Sequence, residues 1–221
     1  MSAHPPFAAA LLIAVSAVAH AQDSTLRIPL RVHLLSSPES EAVTTTRTER
    51  DVEVMLEVAN RIWAQAGITW VLESVVREEA PQGARFDSVV TGRLPPTRER
   101  LFSVAPRGAL LTPGWNLFLI RDFGQIGGGV FYVDIPGVVL AQRSMGIELA
   151  PGERGGATLA HELGHSLGLE HQTCDESRNI MANRCWSPTM LSALTAEQIA
   201  LARRQAAAGH PITEEPWARP R

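Results

Sequence analysis

Residues 161–171 have the sequence HELGHSLGLEH, which places three histidines and a glutamate within eleven positions. Five residues define the pattern, namely His161, Glu162, His165, Gly168 and His171. With each residue type at about one in twenty, a chance match at five fixed positions in a chain of this length has a probability on the order of 10⁻⁴. The cluster therefore predicts a functional site.

The spacing of the histidines favours a metal site. On a helix, His161 and His165 lie one turn apart on the same face, so both imidazoles can reach one ion. Gly168 tolerates a positive φ and allows a sharp turn that can bring His171 to the same ion. Three imidazole nitrogens suit Zn²⁺, and three protein ligands leave the open position of a catalytic zinc site. We predict one catalytic zinc ion; the sequence does not determine whether calcium binds.

Glu162 is predicted to be the catalytic base. It directly follows the first histidine, so its carboxylate should lie beside the ion without binding it. A carboxylate there can take a proton from a zinc-bound water that attacks a carbonyl, and can then pass the proton to the leaving amine. A zinc-bound water and a neighbouring carboxylate base together predict that the protein hydrolyses an amide bond.

The same segment resembles the zinc motif of the metzincin metallopeptidases. The resemblance implies a Met-turn below the metal, for which Met181 is the candidate, although Met181 can also be an ordinary core residue. It also implies an α+β fold with a twisted, mostly parallel five-stranded sheet, one antiparallel edge strand, an active-site helix and a C-terminal helix. The edge strand is expected at Gly129, Val130 and Phe131, where it can pair with an extended substrate backbone.

Hydrophobic periodicity predicts alternating strands and helices along the chain. Residues 77–96 are predicted to be a loop because five of them are Gly or Pro. Pro29 favours an edge position or an irregular start for the first strand. The nearly all-apolar segment 115–121 predicts a strand that is buried on both faces. The predicted strands are 26–35, 68–76, 115–121, 127–134 and 138–143, and the predicted helices are 52–66, 155–167 and 195–208, with a helical turn at 97–104.

Composition sets limits on the class of protein. The chain has 221 residues, 45% of them hydrophobic, and a net charge of −3. The apolar fraction excludes a disordered chain, and the near-neutral charge without a long basic run gives no reason to expect nucleic acid as a partner. Residues 22–221 are predicted to form a single domain with a loose tail at about 211–221. The oligomeric state is not determined.

Residues 1–21 are predicted to be a secretory signal, because the apolar run at 7–18 is followed by the small-x-small pattern Ala19-His20-Ala21. The protein is then secreted or periplasmic. The alternative is a membrane anchor, but the run of 12 residues is shorter than the ~20 residues that a spanning helix needs. We therefore expect no stable membrane anchor.

Cys174 and Cys185 are the only cysteines. In an oxidising compartment they are predicted to form a disulfide across a small loop. Two free, buried thiols are the alternative, because sequence spacing does not show that the Cβ atoms converge. A pair that brackets Met181 is similar to the bacterial reprolysin-like and pappalysin-like branches of the metzincins.

Other polar residues are interpreted without a functional role. His33, inside the first predicted strand, is expected to be a packed or surface histidine, and Glu170 and Asp175 are expected to be solvated carboxylates. A loose basic cluster is expected to be a solvated face; its members are Arg98, Arg100 and Arg107.

Three functional hypotheses follow. The first is a secreted zinc-dependent endopeptidase that acts on protein or peptide substrates. The second is a zinc-binding protein-interaction module without proteolysis, against which Glu162 argues, since a structural site needs no base. The third is a zinc amidase that acts on cell-wall amides.

Overall fold

The computed structural model describes residues 25–133, 135, 137–174, 178–182 and 192–214. The strands in these residues are β1 Leu26–Ser36, β2 Ile68–Glu79, β3 Trp115–Asp122, β4 Gly129–Phe131, β5 Val138–Ser144 and β6 Ile147–Glu148. The helices are α1 Glu49–Trp63, α2 Gly83–Val90, α3 Arg98–Leu101, α4 Arg107–Leu111, α5 Glu153–Ser166 and α6 Ala196–Ala208, with 3₁₀ turns at Ala64–Ala66 and Phe102–Val104. Within the same residues, no helix is both long enough and apolar enough to cross a bilayer.

All six strands belong to one sheet with the order β2-β1-β3-β5-β4, and β6 pairs with β5. Strands β1, β2, β3 and β5 are parallel, whereas β4 is the antiparallel edge strand. Parallel strands need crossover connections. Helix α1 lies on the connection from β1 to β2, and α2, α3 and α4 lie on the connection from β2 to β3. The predicted α+β fold class is confirmed: the five expected strands are present, and the two-residue β6 adds a sixth.

A hydrophobic core lies on each face of the sheet. The first core contains buried residues of α1, α5 and α6, and the second contains buried residues of α2, α3 and the 3₁₀ turn that follows α3. Strand β3 contributes Leu117 and Leu119 to the first core and Phe118 and Ile120 to the second. The prediction that this strand is buried on both faces is thus confirmed.

Close packing between α1 and α5 fixes the position of the histidine-bearing helix. A Cβ atom added to Gly156 would lie 2.3 Å from Cβ of Val58, so only glycine allows this approach of the two helices. The indole Nε1–H of the fully buried Trp63 donates to the carbonyl oxygen of Ala160 at 3.3 Å. Since Ala160 directly precedes the first histidine of the motif, α1 holds α5 at the level of the site.

The edge position suggested by Pro29 is wrong, because β1 lies between β2 and β3. Pro29 pairs with Val71 of β2, while the pairing of β1 with β3 begins one residue later, at Leu30. A proline lacks the N–H donor of a ladder, and it is accommodated here at the end of β1 that only β2 flanks.

The loop predicted at 77–96 is wrong for residues 77–79 and 83–90. Strand β2 continues to Glu79, and α2 occupies Gly83–Val90. Phe86 and Val89, three positions apart, are the buried face of α2 in the second core. The glycines and prolines on both sides of these eight residues favour a loop. The helical spacing of the two buried apolar residues was therefore not recognised in the sequence.

The chain after α6 is packed where the sequence predicted a loose tail. Gly209 ends α6 with φ 80°, and the following Pro211 and Ile212 are buried. The backbone N–H of Ile212 donates to the carbonyl oxygen of Ser166 at 3.0 Å, which ties this segment to the end of α5. Residues 215–221 lie outside the described residues.

Candidate metal centre

Three imidazoles converge at the end of α5. The Nε2 atoms of His161 and His165 are 3.1 Å apart, those of His165 and His171 are 3.1 Å apart, and those of His161 and His171 are 3.2 Å apart. Among the described residues, these three histidines form the group of ligand atoms that could hold a metal ion.

The size of this nitrogen triangle fits zinc. The corners of an equilateral triangle with sides of 3.1 Å lie about 1.8 Å from its centre, so an ion about 1 Å out of the plane is about 2.0–2.1 Å from each nitrogen, the usual Zn–N distance. The donor set, three imidazoles without a fourth protein ligand among the described residues, is the type found in catalytic zinc sites.

The turn at Gly168 explains how His171 reaches the other two histidines. Gly168 has φ 87°, a left-handed conformation that favours glycine. Its N–H donates to the carbonyl oxygen of His165 at 2.9 Å, and the N–H of Leu169 donates to that of Gly164 at 3.0 Å. This pair of hydrogen bonds is a Schellman motif, which ends α5 and reverses the chain toward the imidazoles.

Backbone carbonyls orient two of the imidazoles. Nδ1 of His161 lies 2.7 Å from the carbonyl oxygen of Ile180, and Nδ1 of His165 lies 2.8 Å from that of Leu169. Because a carbonyl only accepts, each Nδ1 carries the proton, and each Nε2 lone pair is directed at the triangle. Sequence reasoning missed Ile180 and Leu169 in this role, since a backbone carbonyl acceptor leaves no side-chain signal.

Burial favours the neutral form of the three imidazoles. Burial lowers the pKa of His161 and of His171, and it lowers the pKa of His165 to about 3. In His161 and His165 the neighbouring histidines add to the lowering of the pKa, while the hydrogen bond to a carbonyl opposes it. Neutral imidazole is the form that binds a metal ion.

Met181 lies beneath the histidines and is fully buried. A Cβ atom added to Gly164 of α5 would lie 2.5 Å from its sulfur, so the thioether packs directly against the helix between His161 and His165. The N–H of Met181 donates to Oδ1 of Asn179 at 2.9 Å, and the N–H of Gln172 donates to the carbonyl oxygen of Met181 at 2.8 Å. The segment 178–182 is thereby linked to the chain beside His171.

Asn179 anchors that segment to α6. Its Nδ2–H donates to Oε1 of Gln198 at 2.7 Å, and Nε2–H of Gln198 donates back to Oδ1 of Asn179 at 3.3 Å. Gln198 also completes the capping box of α6 with Thr195. The start of α6 and the floor of the histidine site therefore share one hydrogen-bond network.

Glu162 is buried next to the edge strand. Its residue exposure is 6%, and burial raises the pKa of its carboxyl to about 8. A Cβ atom on Gly129 would lie 2.6 Å from Cγ and 3.0 Å from Oε1 of Glu162. Only a glycine at this position of β4 leaves room for the carboxyl.

A cleft with a volume of about 350 Å³ opens in front of Glu162. Strand β4 and the two residues after it form one wall, and His165 and His171 lie on its floor. Two residues that the sequence did not place here, Arg98 and Ile212, also line the cleft. They come from the start of α3 and from the segment after α6, so the cleft combines elements from both sides of the sheet.

Several predicted residues lie elsewhere. His33 is a packed histidine, buried and stacked on Phe118 with ring centroids 4.8 Å apart. Glu170 is exposed, and Asp175 lies outside the described residues. Cys174 is described but Cys185 is not, so the disulfide stays a prediction.

Comparison with protein-family models and with curated proteins gives no match. The chain resembles a number of solved structures, among them the following two. One, the structure of a chaperone–substrate complex, is 13% identical with a TM-score of 0.48, covering 85% of this chain and 35% of that chain. The other, the crystal structure of metalloproteinase-II from Bacteroides fragilis, is 14% identical with a TM-score of 0.43, covering 83% of this chain and 55% of that chain. This chain thus spans about a third and about half of these two proteins, and neither likeness is strong enough to assign a function.

Proposed function

We propose that this protein is a secreted zinc-dependent endopeptidase of the metzincin clan. The observation that carries the proposal is the convergence of three imidazoles beside a buried carboxyl, where two of the imidazoles and the carboxyl line a cleft bordered by an edge strand. His161, His165 and His171 would hold one zinc ion. Zinc, when bound there, supplies a Lewis acid that polarises a carbonyl oxygen and acidifies a water molecule.

Glu162 is proposed to be the general base and general acid. Its carboxyl lines the cleft next to His165 and His171, within reach of a water molecule and of a substrate amide. The positive charge of a bound ion would favour the ionised form of this carboxyl. The carboxylate then accepts a proton from the attacking water, and the resulting acid returns that proton to the departing amine nitrogen. Proton transfer by such a group typically contributes 10²–10⁴-fold to the rate.

The geometry of β4 supports a peptide substrate. Gly128 lies opposite Ala141, whose N–H donates to its carbonyl oxygen at 2.8 Å. Because hydrogen-bonded and non-hydrogen-bonded pairs alternate in an antiparallel ladder, the backbone groups of Val130 face β5, whereas those of Gly129 and Phe131 point away from it. An extended peptide can pair with these two residues and so align its scissile amide over the imidazoles.

Export is part of the proposal and rests on the sequence of residues 1–21. Mass spectrometry of the exported protein is expected to find Gln22 at the N-terminus. The proposed bond between Cys174 and Cys185 would close the chain around the segment 178–182. Thiol titration of the denatured, unreduced protein is expected to find no free thiol.

The proposed activity is tested with Glu162→Ala and the isosteric Glu162→Gln. Glu57→Ala, which removes an exposed carboxylate from α1, is the matched control. We expect equal zinc binding in all four proteins and casein cleavage by the wild type and the control only, with rates about 10²–10⁴-fold lower in the Glu162 variants.

The same assay separates the other two hypotheses. Zinc binding by every protein without cleavage of casein, gelatin or peptide by any of them would instead support a protein-interaction module. Digestion of peptidoglycan fragments but not of casein by the wild type would support an amidase.

A further inference from the structure

The side chain of Gln198 makes two kinds of contact at the start of α6. Its Oε1 accepts from the backbone N–H of Thr195 at 2.9 Å and completes the capping box. The same oxygen accepts from Nδ2–H of Asn179 at 2.7 Å, and Nε2–H of Gln198 donates to Oδ1 of Asn179 at 3.3 Å. A glutamate would cap the helix equally well, but an ionised carboxylate has no proton to donate to Oδ1. Pairing with Asn179 therefore needs the glutamine, whereas capping of α6 does not.

Both carboxamides of this pair are buried, with residue exposures of 4% for Asn179 and 8% for Gln198. Burial of a polar group costs free energy unless the group is hydrogen-bonded, and apolar side chains of the same shape could fill the space nearly as well. Because the two hydrogen bonds join two planar amides, they fix the orientation of the Asn179 side chain. The pair thus provides an orientation that an apolar contact would not.

Asn179 and His161 hold opposite ends of one peptide group. Oδ1 of Asn179 accepts from the backbone N–H of Met181 at 2.9 Å. The carbonyl of the same peptide group, that of Ile180, lies 2.7 Å from Nδ1 of His161 and accepts its proton. A peptide group is planar, so an acceptor that fixes the direction of the N–H also fixes the direction of the carbonyl. The orientation of the Asn179 side chain therefore determines where the imidazole of His161 finds its hydrogen-bond partner.

We propose that Gln198 is a positioning residue for the metal ligand His161. Its carboxamide orients Asn179, which orients the peptide group between Ile180 and Met181, and the carbonyl of that group orients the imidazole. Hydrogen-bond partners of metal-binding histidines fix the orientation of the ring and increase the affinity for the ion. The inference rests on the zinc site of the proposed function and not on the substrate or on the peptidase reaction.

The test compares Gln198→Met, which keeps the length of the side chain but removes its hydrogen bonds, with Asn179→Ala and with the double variant. Asp51→Ala is the matched control, because Asp51 has the same place in the capping box of α1 with Thr48 and is not among the described residues that line the cleft. Zinc affinity is measured by competition titration, and the stability of each metal-free protein by urea denaturation. The visible absorption of the Co²⁺-loaded proteins reports the geometry of the ligands.

We expect Gln198→Met to bind zinc about tenfold more weakly than the wild type and to shift the Co²⁺ absorption bands, whereas Asp51→Ala should be less stable but bind zinc with unchanged affinity. Because Gln198 acts through Asn179, the double variant should bind zinc about as weakly as Asn179→Ala alone. Wild-type zinc affinity in Gln198→Met or in Asn179→Ala, or additive losses in the double variant, would overturn the proposal. A wild-type protein that binds no zinc would instead refute the proposed zinc site and, with it, this inference.

Discussion

The backbone of Gly129 lies directly against the buried side chain of Glu162. The 2.6 Å between Cγ of Glu162 and a Cβ atom built on Gly129 leaves no room for a side chain at this point of β4. This contact therefore limits the positions that the edge strand and the Glu162 carboxyl can take relative to each other. The strand that would align a substrate also positions the proposed base.

Gly129→Ala is expected to displace the Glu162 carboxyl without removing any zinc ligand. The predicted result is a fall in kcat of tenfold or more at nearly unchanged zinc affinity, since small misplacements of a catalytic group are costly. Steady-state kinetics and a zinc competition titration measure the two quantities.

Gly108→Ala is the matched control, because a Cβ atom there meets no atom within 4 Å. Equal kcat values for Gly129→Ala and the wild type would show that the contact with Gly129 does not position Glu162.

Gly168→Ala is expected to weaken zinc binding through the backbone. A non-glycine residue at φ 87° costs about 1–2 kcal/mol, and relief of that strain moves His171 away from the other two histidines. Gly209→Ala is the matched control, because Gly209 ends α6 with φ 80° and lies far along the chain from the ligands. Both variants should be less stable in chemical denaturation, but only Gly168→Ala should bind zinc more weakly, by at least tenfold. Similar zinc affinities in the two variants would contradict this role of the turn.

Met181→Ala is expected to lower the free energy of unfolding by about 2–5 kcal/mol, as for other buried methionines, and also to weaken zinc binding. Met181→Leu conserves volume and should cost less than about 1.5 kcal/mol. Met55→Ala removes an equally buried methionine from the same core, and it should reduce stability without a change in zinc affinity. If Met55→Ala and Met181→Ala weaken zinc binding to the same extent, Met181 is an ordinary core residue.

Glu162→Gln is expected to stabilise the metal-free protein as the pH rises. Burial raises the pKa of Glu162 to about 8 from its ordinary value of 4.5. Between these values the folded wild type keeps a proton that the unfolded chain releases, so its free energy of unfolding falls with rising pH and levels off above pH 8. All other side chains are the same in the two proteins, so their contributions to the pH dependence cancel in the comparison. Urea denaturation from pH 5 to pH 9 should show a growing advantage of the variant, and a pH-independent difference would mean that Glu162 titrates normally in the fold.

The local geometry of the site could be predicted from the sequence because it depends on short spacings. Two residues four positions apart share a helix face, which places His161 beside His165, and a glycine three positions later is typical of a helix end. The mostly parallel sheet and the antiparallel edge strand came from the family resemblance and not from the residue pattern, and the order of the strands in the sheet was not predicted. The short helix α2 was missed because its buried face consists of Phe86 and Val89 between turn-forming residues.

Contacts between distant segments could not be predicted. The carbonyl of Ile180 that orients His161, nineteen positions away, belongs to the backbone, and any residue type could supply it. Arg98 and Ile212 reach the cleft because the 3₁₀ turn that follows α3 packs against Tyr132 and because Ile212 is tied to Ser166. Both contacts are products of tertiary packing, for which a single sequence has no periodic signal.

X-ray absorption at the zinc edge of the purified, dialysed protein tests the central claim most directly. The account predicts one zinc ion per chain whose nearest neighbours are nitrogen and oxygen atoms at about 2.0–2.1 Å, with the scattering pattern of three imidazoles. Absence of zinc, or sulfur neighbours at about 2.3 Å from Cys174 and Cys185, would contradict it.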